Sequence, residues 1–294
     1  MKTRVIVVEK RTAYGRFVEE ERDPRAQLLV KRKDPSVRSW VEGHREHQKT
    51  VETVERVLTR LGVHVHLVRR AHAQFDASDA ALVVAVGGDG TLLAASNNLD
   101  AVPILGVNSA PRHSVGFFCA AKRSTFAALV TQALEGKLAG VTLTRMQVSV
   151  AGRVRASRIL NDALFAHVSP AATSRYVVQL SSHSEEQRSS GFWIGPAAGS
   201  TAAQRSAGGR VQPLSSKKLQ LVVREPYVPA GTPYRLTRRL IAPGEKVIAR
   251  SNMDEAALWL DGPHRQVPVR LGDVLEFTTS AEPLRVLGIK SRRA

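Results

Sequence analysis

Cysteine is nearly absent: Cys119 stands alone in 294 residues. No disulfide can form within the chain, and a reducing compartment, the cytoplasm, is the expected location. Aromatic residues make up only 5%. No stretch interleaves basic residues with rings, the pattern that single-stranded nucleic acid asks for, so a nucleic-acid partner is disfavoured in spite of a net charge of +17. Long hydrophobic runs are missing too. The longest, residues 80–86, falls far short of the ~20 residues of a membrane helix, so no membrane partner is expected. The opening Met1-Lys2-Thr3-Arg4 leads into the short apolar run 5–8, which lacks the length of a secretory core and reads as a first buried strand. Acidic residues are the scarcer charge, 26 against 43 Lys and Arg, and most of the excess falls after residue 140. Such a field suits polyanions, among them nucleotides and polyphosphate.

What is present is an ordinary globular composition, 43% hydrophobic, in a length that holds two domains. Residues 9–35 are rich in charge, contain Pro24 and Pro35, and read as a loop or flap. From 36 to about 61, Val51, Val54, Leu58 and Leu61 recur at three- and four-residue spacing, with Trp40 and His47 extending the stripe backwards. That periodicity predicts a helix, closed by Gly62. Segments 63–68, 80–86 and 103–107 read as strands and 124–134 as a helix, the alternation of a parallel α/β sheet. After residue 140 the character changes. Segments 142–150, 158–165, 176–180, 219–223 and 267–269 are short and β-rich, with Asp261-Gly262 a hairpin turn and the Ser-rich 181–190 a polar hairpin loop. The expected fold class is therefore α/β plus all-β: a parallel-sheet nucleotide-binding domain over 1–140 and a β-rich domain over 141–274.

Gly87-Gly88-Asp89-Gly90-Thr91 follows the apolar strand 80–86 directly and opens a helix at Leu92. Glycines at three of four positions let the backbone approach a ligand closely, and a turn into a helix N-terminus presents free N–H groups to an anion. The spacing is not that of a P-loop, whose lysine is missing here, nor is it GxGxxG. A carboxylate beside bound phosphates is repelled unless it holds a metal or accepts a proton, and both roles belong to phosphoryl transfer. The competing reading makes Asp89 a helix cap. His44 and His47, three apart on the expected helix, have no third metal ligand, so no protein metal site is expected; His167 and His264 lack a nucleophile motif around them.

A strand followed by GGDGTLL resembles the NAD kinase and diacylglycerol kinase superfamily. Further segments resemble the NAD kinases in particular: Pro103-Ile104-Leu105-Gly106-Val107-Asn108 with Gly116-Phe117, Leu160-Asn161-Asp162, Gly199-Ser200-Thr201-Ala202 with Ser206-Ala207-Gly208-Gly209, Leu271-Gly272-Asp273, and Pro283-Leu284-Arg285-Val286. The likeness covers about 80–290, and in its longer loop after Asn108 and its Ser-Ser-Gly at 189–191 it is closest to the mitochondrial-type NAD kinases. Departures stand at Ser190 in place of Asp, Ala198 in place of a hydroxyl residue, and Ala203 in place of Tyr.

The resemblance implies transfer of the ATP γ-phosphoryl group to the 2′-hydroxyl of the NAD adenosine ribose, with Mg²⁺ accompanying ATP. It implies Asp89 as the base. Gly87, Gly88, Thr91, Asn108 and Ser200 are implied on the phosphate side, and Gly90, Phe117, Asn161, Asp162, Ser190, Thr201, Ala202 and Ser206 on the substrate side. Arg112 and Arg175 are candidate charge clamps by placement. It further implies that 275–294 packs back on the first domain and that the chain forms a homodimer or higher oligomer. The donor is ATP or polyphosphate. Two alternatives remain at this stage: a lipid kinase of the diacylglycerol or sphingosine type, and a non-catalytic dinucleotide-binding protein.

Overall fold

The computed structural model describes residues 3–228 and 233–291. In chain order these form β1 (Arg4–Glu9), a π-helical turn (Gly15–Glu20), α1 (Pro24–Lys31), a 3₁₀ turn (Pro35–Val37), α2 (Arg38–Arg60), β2 (His64–Val68), β3 (Leu82–Gly87), α3 (Asp89–Ser96), β4 (Ile104–Asn108), β5 (Ala121–Lys122), α4 (Phe126–Leu134) and β6 (Gly140–Leu143). Then follow β7 (Met146–Val150), β8 (Arg153–Ile159), β9 (Ala163–His167), β10 (Ser174–Leu180), β11 (His183–Ser189) and β12 (Phe192–Pro196). A 3₁₀ turn (Ala197–Thr201) and α5 (Ala203–Ser206) lead to β13 (Leu219–Val223), β14 (Arg238–Ile241), β15 (Lys246–Ser251), β16 (Ala256–Leu260), β17 (Gln266–Val269), β18 (Val274–Thr279) and β19 (Leu284–Leu287). The chain divides into two compact units, Met1–Val141 with Leu284–Lys290, and Thr142–Pro283 with the last residues. Among the described residues no helix is long and apolar enough to cross a membrane.

The first unit is built on one sheet in the order β2-β1-β3-β4-β19-β6, with β5 beside β4. Pairings of β1 with β2 and β3, and of β4 with β3, β5 and β19, are parallel. β3 and β4 are buried at every position, as strands covered on both faces must be. On one face Val7, Val84 and Val107 meet Val54 and Leu58 of α2 and Phe126 and Val130 of α4. On the other, Leu92 of α3 lies against Gly106.

The segment 9–35, expected as a loop or flap, is largely helical. Asp23 accepts a bond from the Ala26 N–H at 2.6 Å and Pro24 occupies the first turn, a start signal that needs no apolar stripe. Phe17 stacks on Trp40 of α2 at 5.5 Å, with Arg16 over its ring at 4.6 Å, which fastens this segment down. The stripe on α2 runs through His44, His47, Thr50, Val54 and Leu58, whereas Leu61 is exposed.

The second unit holds two six-stranded antiparallel sheets, β11-β10-β15-β18-β7-β8 and β14-β13-β12-β9-β16-β17. Their inner faces share one core, in which Phe165, Tyr176, Phe192 and Phe277 meet with ring centroids 5.2–5.8 Å apart. Two expectations change here. Residues 181–190 are mostly strand, because the hairpin turns on Ser181 and Ser182 alone and Leu180 pairs with His183. Segment 158–165 is not continuous: Leu160-Asn161-Asp162 breaks it into β8 and β9. β18 pairs with β7 and β15 in this unit, so the returning segment begins at Leu284. Arg145, fully buried, donates to the Glu282 carbonyl at 2.5 Å and the Pro283 carbonyl at 3.3 Å, fixing the chain where it leaves.

Candidate functional site

In the first unit, Gly87 ends β3 and Gly88, in extended conformation, is the N-cap of α3. A side chain at Gly87 would come within 2.1 Å of Thr91 Oγ1, and one at Gly88 within 2.3 Å of Ser114 Oγ. These two glycines are required by close approach. Gly90 has open space around it. Asp89 is the first helical residue and makes no cap bond, which removes the reading of this residue as a helix cap. Its carboxylate reaches across to the loop after β4, where it accepts the Phe117 N–H at 2.8 Å and the Phe118 N–H at 2.7 Å.

That loop is fastened at several points. Asn108 is buried, donates to the Ser114 carbonyl at 3.0 Å and accepts from the Ala110 N–H at 3.3 Å. Gly116, at φ 63°, passes so close to Asn108 that a side chain there would lie 2.3 Å from Nδ2. Thr50 of α2 donates to the Ser109 carbonyl. Phe117 is left partly exposed, edge-on to Phe118. Thus the structure gathers Gly87, Gly88, Asp89, Gly90, Thr91, Asn108 and Phe117. Asn108 and Arg112 line a cleft of about 250 Å³ together with Lys122 and Arg123. Burial and the charge of Asp89 push the Cys119 thiol up to about 12, which keeps it protonated and unreactive.

The histidine pair is structural. His44 bonds Thr12 at 2.7 Å and pairs with Glu19, while burial, then the Lys10 charge, lowers His47 to about 4 and keeps it neutral. Lys10 itself escaped the sequence reading. It follows β1 directly and comes against Gly87.

In the second unit, Asn161 and Asp162 occupy the break between β8 and β9, held by Asp261. This carboxylate accepts N–H bonds from Leu160 at 3.0 Å, Asn161 at 2.7 Å and Asp162 at 3.3 Å. Asp162 returns a bond through its carbonyl to the Asp261 N–H. Burial raises the pKa of Asp162 to about 7, helped by the nearby Asp261 charge, and burial raises that of Asp261 as well. Asn161 donates to Asp162 at 2.9 Å.

The segment 195–204 is pressed onto this turn. A side chain at Gly199 would sit 1.7 Å from the Asn161 carbonyl oxygen, and one at Gly195 2.5 Å from it. Thr201 and Ala202 follow Gly199 in the same segment, and Gln204 donates to the Asn161 carbonyl at 3.4 Å. Ser200 is fully enclosed: its hydroxyl donates to Ala197 and accepts from the Gln212 N–H, so it braces the turn.

Ser190 and Ser206 border two further clefts of the same unit. Ser190 bonds Glu225 and lines about 250 Å³ with His167 and Trp259; Ser206 lines about 620 Å³ with Trp193 and Ala203. Both clefts share Leu164, Arg224 and Glu225. In register, Trp193 pairs with Leu164 and Leu164 with Trp259, making a half-buried apolar row on the outer face of the sheet. Arg175 is exposed on β10, in the other sheet, and His264 lies in the loop between β16 and β17. Sequence reading missed Trp193, Trp259, Arg224, Glu225 and Asp261. The two tryptophans could have been found, since each alternates between core residues of a strand. Among the described residues no group of three His, Cys, Asp or Glu could hold a metal.

Comparison with known proteins gives a consistent result. Residues 20–138 match the family described as ATP-NAD kinase N-terminal domain. A rice (Oryza sativa subsp. japonica) protein named "Probable NADH kinase" is 34% identical over 277 residues, 86% of this chain and 85% of its own. The NADH kinase of Arabidopsis thaliana is 33% identical over 298 residues, 86% of this chain and 87% of its own. Human "NAD kinase 2, mitochondrial" is 39% identical over 132 residues, 42% of this chain and 30% of its own. The crystal structure of an NAD kinase from Archaeoglobus fulgidus in complex with ATP shares the fold at a TM-score of 0.68 and 21% identity, covering 99% of this chain and 94% of that one.

Proposed function

The chain belongs to the NAD kinase family, and on that premise we propose that it transfers the γ-phosphoryl group of ATP to the 2′-hydroxyl of the adenosine ribose of NAD or NADH. The observation that carries this reading is Asp89, a carboxylate set at the start of α3 among Gly87, Gly88 and Gly90 and oriented through both oxygens. Each oxygen keeps a lone pair beyond the one used by the loop. Asp89 takes the proton from the 2′-hydroxyl as that oxygen bonds the γ-phosphorus. The bond from phosphorus to the β,γ-bridging oxygen breaks, and ADP leaves. Proton transfer to a placed side chain is worth roughly 10²–10⁴-fold.

Gly87, Gly88, Gly90 and Thr91 line the phosphate side, where the first N–H groups of α3 donate while that of Thr91 is taken by the Gly88 carbonyl, and Asn108 keeps the facing loop in place. Asn161, Asp162, Thr201 and Ala202 hold the dinucleotide, with Phe117 packing on a ring. Ser206 and Ser190 border that binding surface. Mg²⁺ would be carried by ATP oxygens and water, with Asp89 the carboxylate that would face it, and would supply charge neutralisation on the phosphates.

ATP is the donor, a choice supported by the matched family's description. For the acceptor, the sequence reading named NAD. The names of the rice and Arabidopsis relatives favour NADH as the better substrate. A homodimer or larger assembly is consistent with the half-exposed Trp193–Leu164–Trp259 row, and light scattering checks it. The decisive assay incubates the full chain with ATP, Mg²⁺ and either NAD or NADH and separates the products by chromatography. NADP and NADPH are expected, with the larger kcat/KM for NADH. ADP release without a 2′-phosphorylated dinucleotide would overturn the proposal.

A further inference from the structure

The glycine-rich turn lacks the lysine that phosphate loops of the P-loop type carry within the loop. A lysine is nevertheless present in space. The Lys10 N–H donates to the Val86 carbonyl at 3.0 Å, continuing the parallel register in which Glu9 faces Val86. Lys10 thus stands level with Gly87, and on the same face of the sheet: a β-carbon at Gly87 would lie 3.0 Å from the Lys10 Cβ and 2.1 Å from Thr91 Oγ1. The bare α-carbon of Gly87 lets the lysine stem and the Thr91 side chain close in on either side of it.

The backbone of this lysine bonds His47, whose pKa its charge lowers, but its ammonium has no ion-pair partner among the described residues. Lys10 is half-buried, no carboxylate pairs with it among the described residues, and burial lowers its pKa. Glu9, its neighbour in sequence, faces Arg69 instead. The N-terminus of α3, capped by Gly88, adds the positive end of a helix dipole to the same place. Two positive features thus lie beside the glycine-rich turn. An anion relieves that arrangement; a nearby carbon atom does not.

We propose that Lys10 is the phosphate-neutralising lysine of the site, its ammonium bonding the terminal phosphate oxygens of a nucleoside triphosphate held at Gly87–Thr91. It does from the end of β1 what a loop lysine does elsewhere. Gly87 is glycine because any side chain would collide with Thr91 and displace the lysine stem. The inference rests on the proposed ATP-dependent reaction for its substrate, but not for its geometry.

The test compares the full chain with Lys10→Met, which keeps the length of the stem without the charge, and Lys10→Arg, which keeps the charge. ATP binding is titrated calorimetrically without dinucleotide, and both KM values and kcat are measured. For Lys10→Met we expect ATP affinity to fall at least about tenfold and the salt dependence of binding to weaken, with the dinucleotide KM within twofold. Lys10→Arg should recover most of the loss. Unchanged ATP affinity in Lys10→Met, or equal losses toward ATP and dinucleotide that arginine does not restore, would overturn the proposal. If the wild-type chain binds ATP yet forms no NADP(H), the proposed function fails, and the ATP titration still decides the role of Lys10.

Discussion

Two turns in this protein are fastened by the same device, a carboxylate from one segment that accepts backbone N–H bonds from another, and they differ in what surrounds the carboxylate. In the first unit Asp89 takes the N–H groups of Phe117 and Phe118, beside Gly90, which has open space around it. In the second Asp261 takes those of Leu160, Asn161 and Asp162, close to the carboxylate of Asp162. Crowding makes the second turn a rigid shelf, with Asn161 pressed under Gly195 and Gly199. Strapping a loop therefore does not mark a carboxylate as a reacting group. Open space beside it does.

The comparison breaks first at the glycines. Gly199→Ala needs a methyl group 1.7 Å from a backbone oxygen, whereas Gly90→Ala meets nothing within 4 Å. The first change is expected to cost the second unit about 3 kcal/mol. The second should leave stability within about 1 kcal/mol, since alanine suits a helix better than glycine. Thermal melts of the two variants check both, and comparable melting temperatures would remove the contrast between an open turn and a crowded one.

A smaller effect separates the two turns by substrate. Asn161→Ala should raise the KM for NAD(H) about tenfold while moving the ATP KM less than twofold. Equal weakening toward both substrates would reduce Asn161 to a turn residue.

The smallest effect is one of pH. Asp162 titrates near 7 in the folded chain, above its ordinary value near 3.8, so the folded state holds the extra proton between the two. Its contribution to stability is present below pH ~4 and is lost as pH rises to ~7. Asp162→Asn should therefore flatten the decline of melting temperature over that window relative to the wild type. An identical slope in both proteins would show that Asp162 ionises freely.

Much of the first unit was legible because its central strands β3 and β4 are almost wholly apolar and its glycine turn is compact in sequence. α1 was missed because its signal is a cap, Asp23-Pro24, without an apolar stripe. β11 was missed for a related reason: its inward positions are Gln187 and Ser189, polar residues that leave no hydrophobic alternation to read. Asn161 and Asp162 were found through resemblance, but Asp261 looked like half of a hairpin turn. Only the fold brings it across roughly a hundred residues to the turn it holds. Lys10 lay at a strand end, and its neighbour Gly87 is distant in sequence.

The central claim is that Asp89 takes the proton in phosphoryl transfer, beyond holding the loop after β4. In Asp89→Asn the amide oxygen can accept one of the two loop N–H bonds while its NH₂ opposes the other, so loop loosening must be read apart from chemistry. The direct measurement is single-turnover formation of NADP(H) by quench-flow, with saturating ATP and dinucleotide and with the dinucleotide Kd determined separately. The predicted result is a transfer rate lower by about 10²–10⁴-fold, with the dinucleotide Kd changed only a few-fold. A near wild-type transfer rate at saturation would contradict the claim and leave Asp89 as a strap alone.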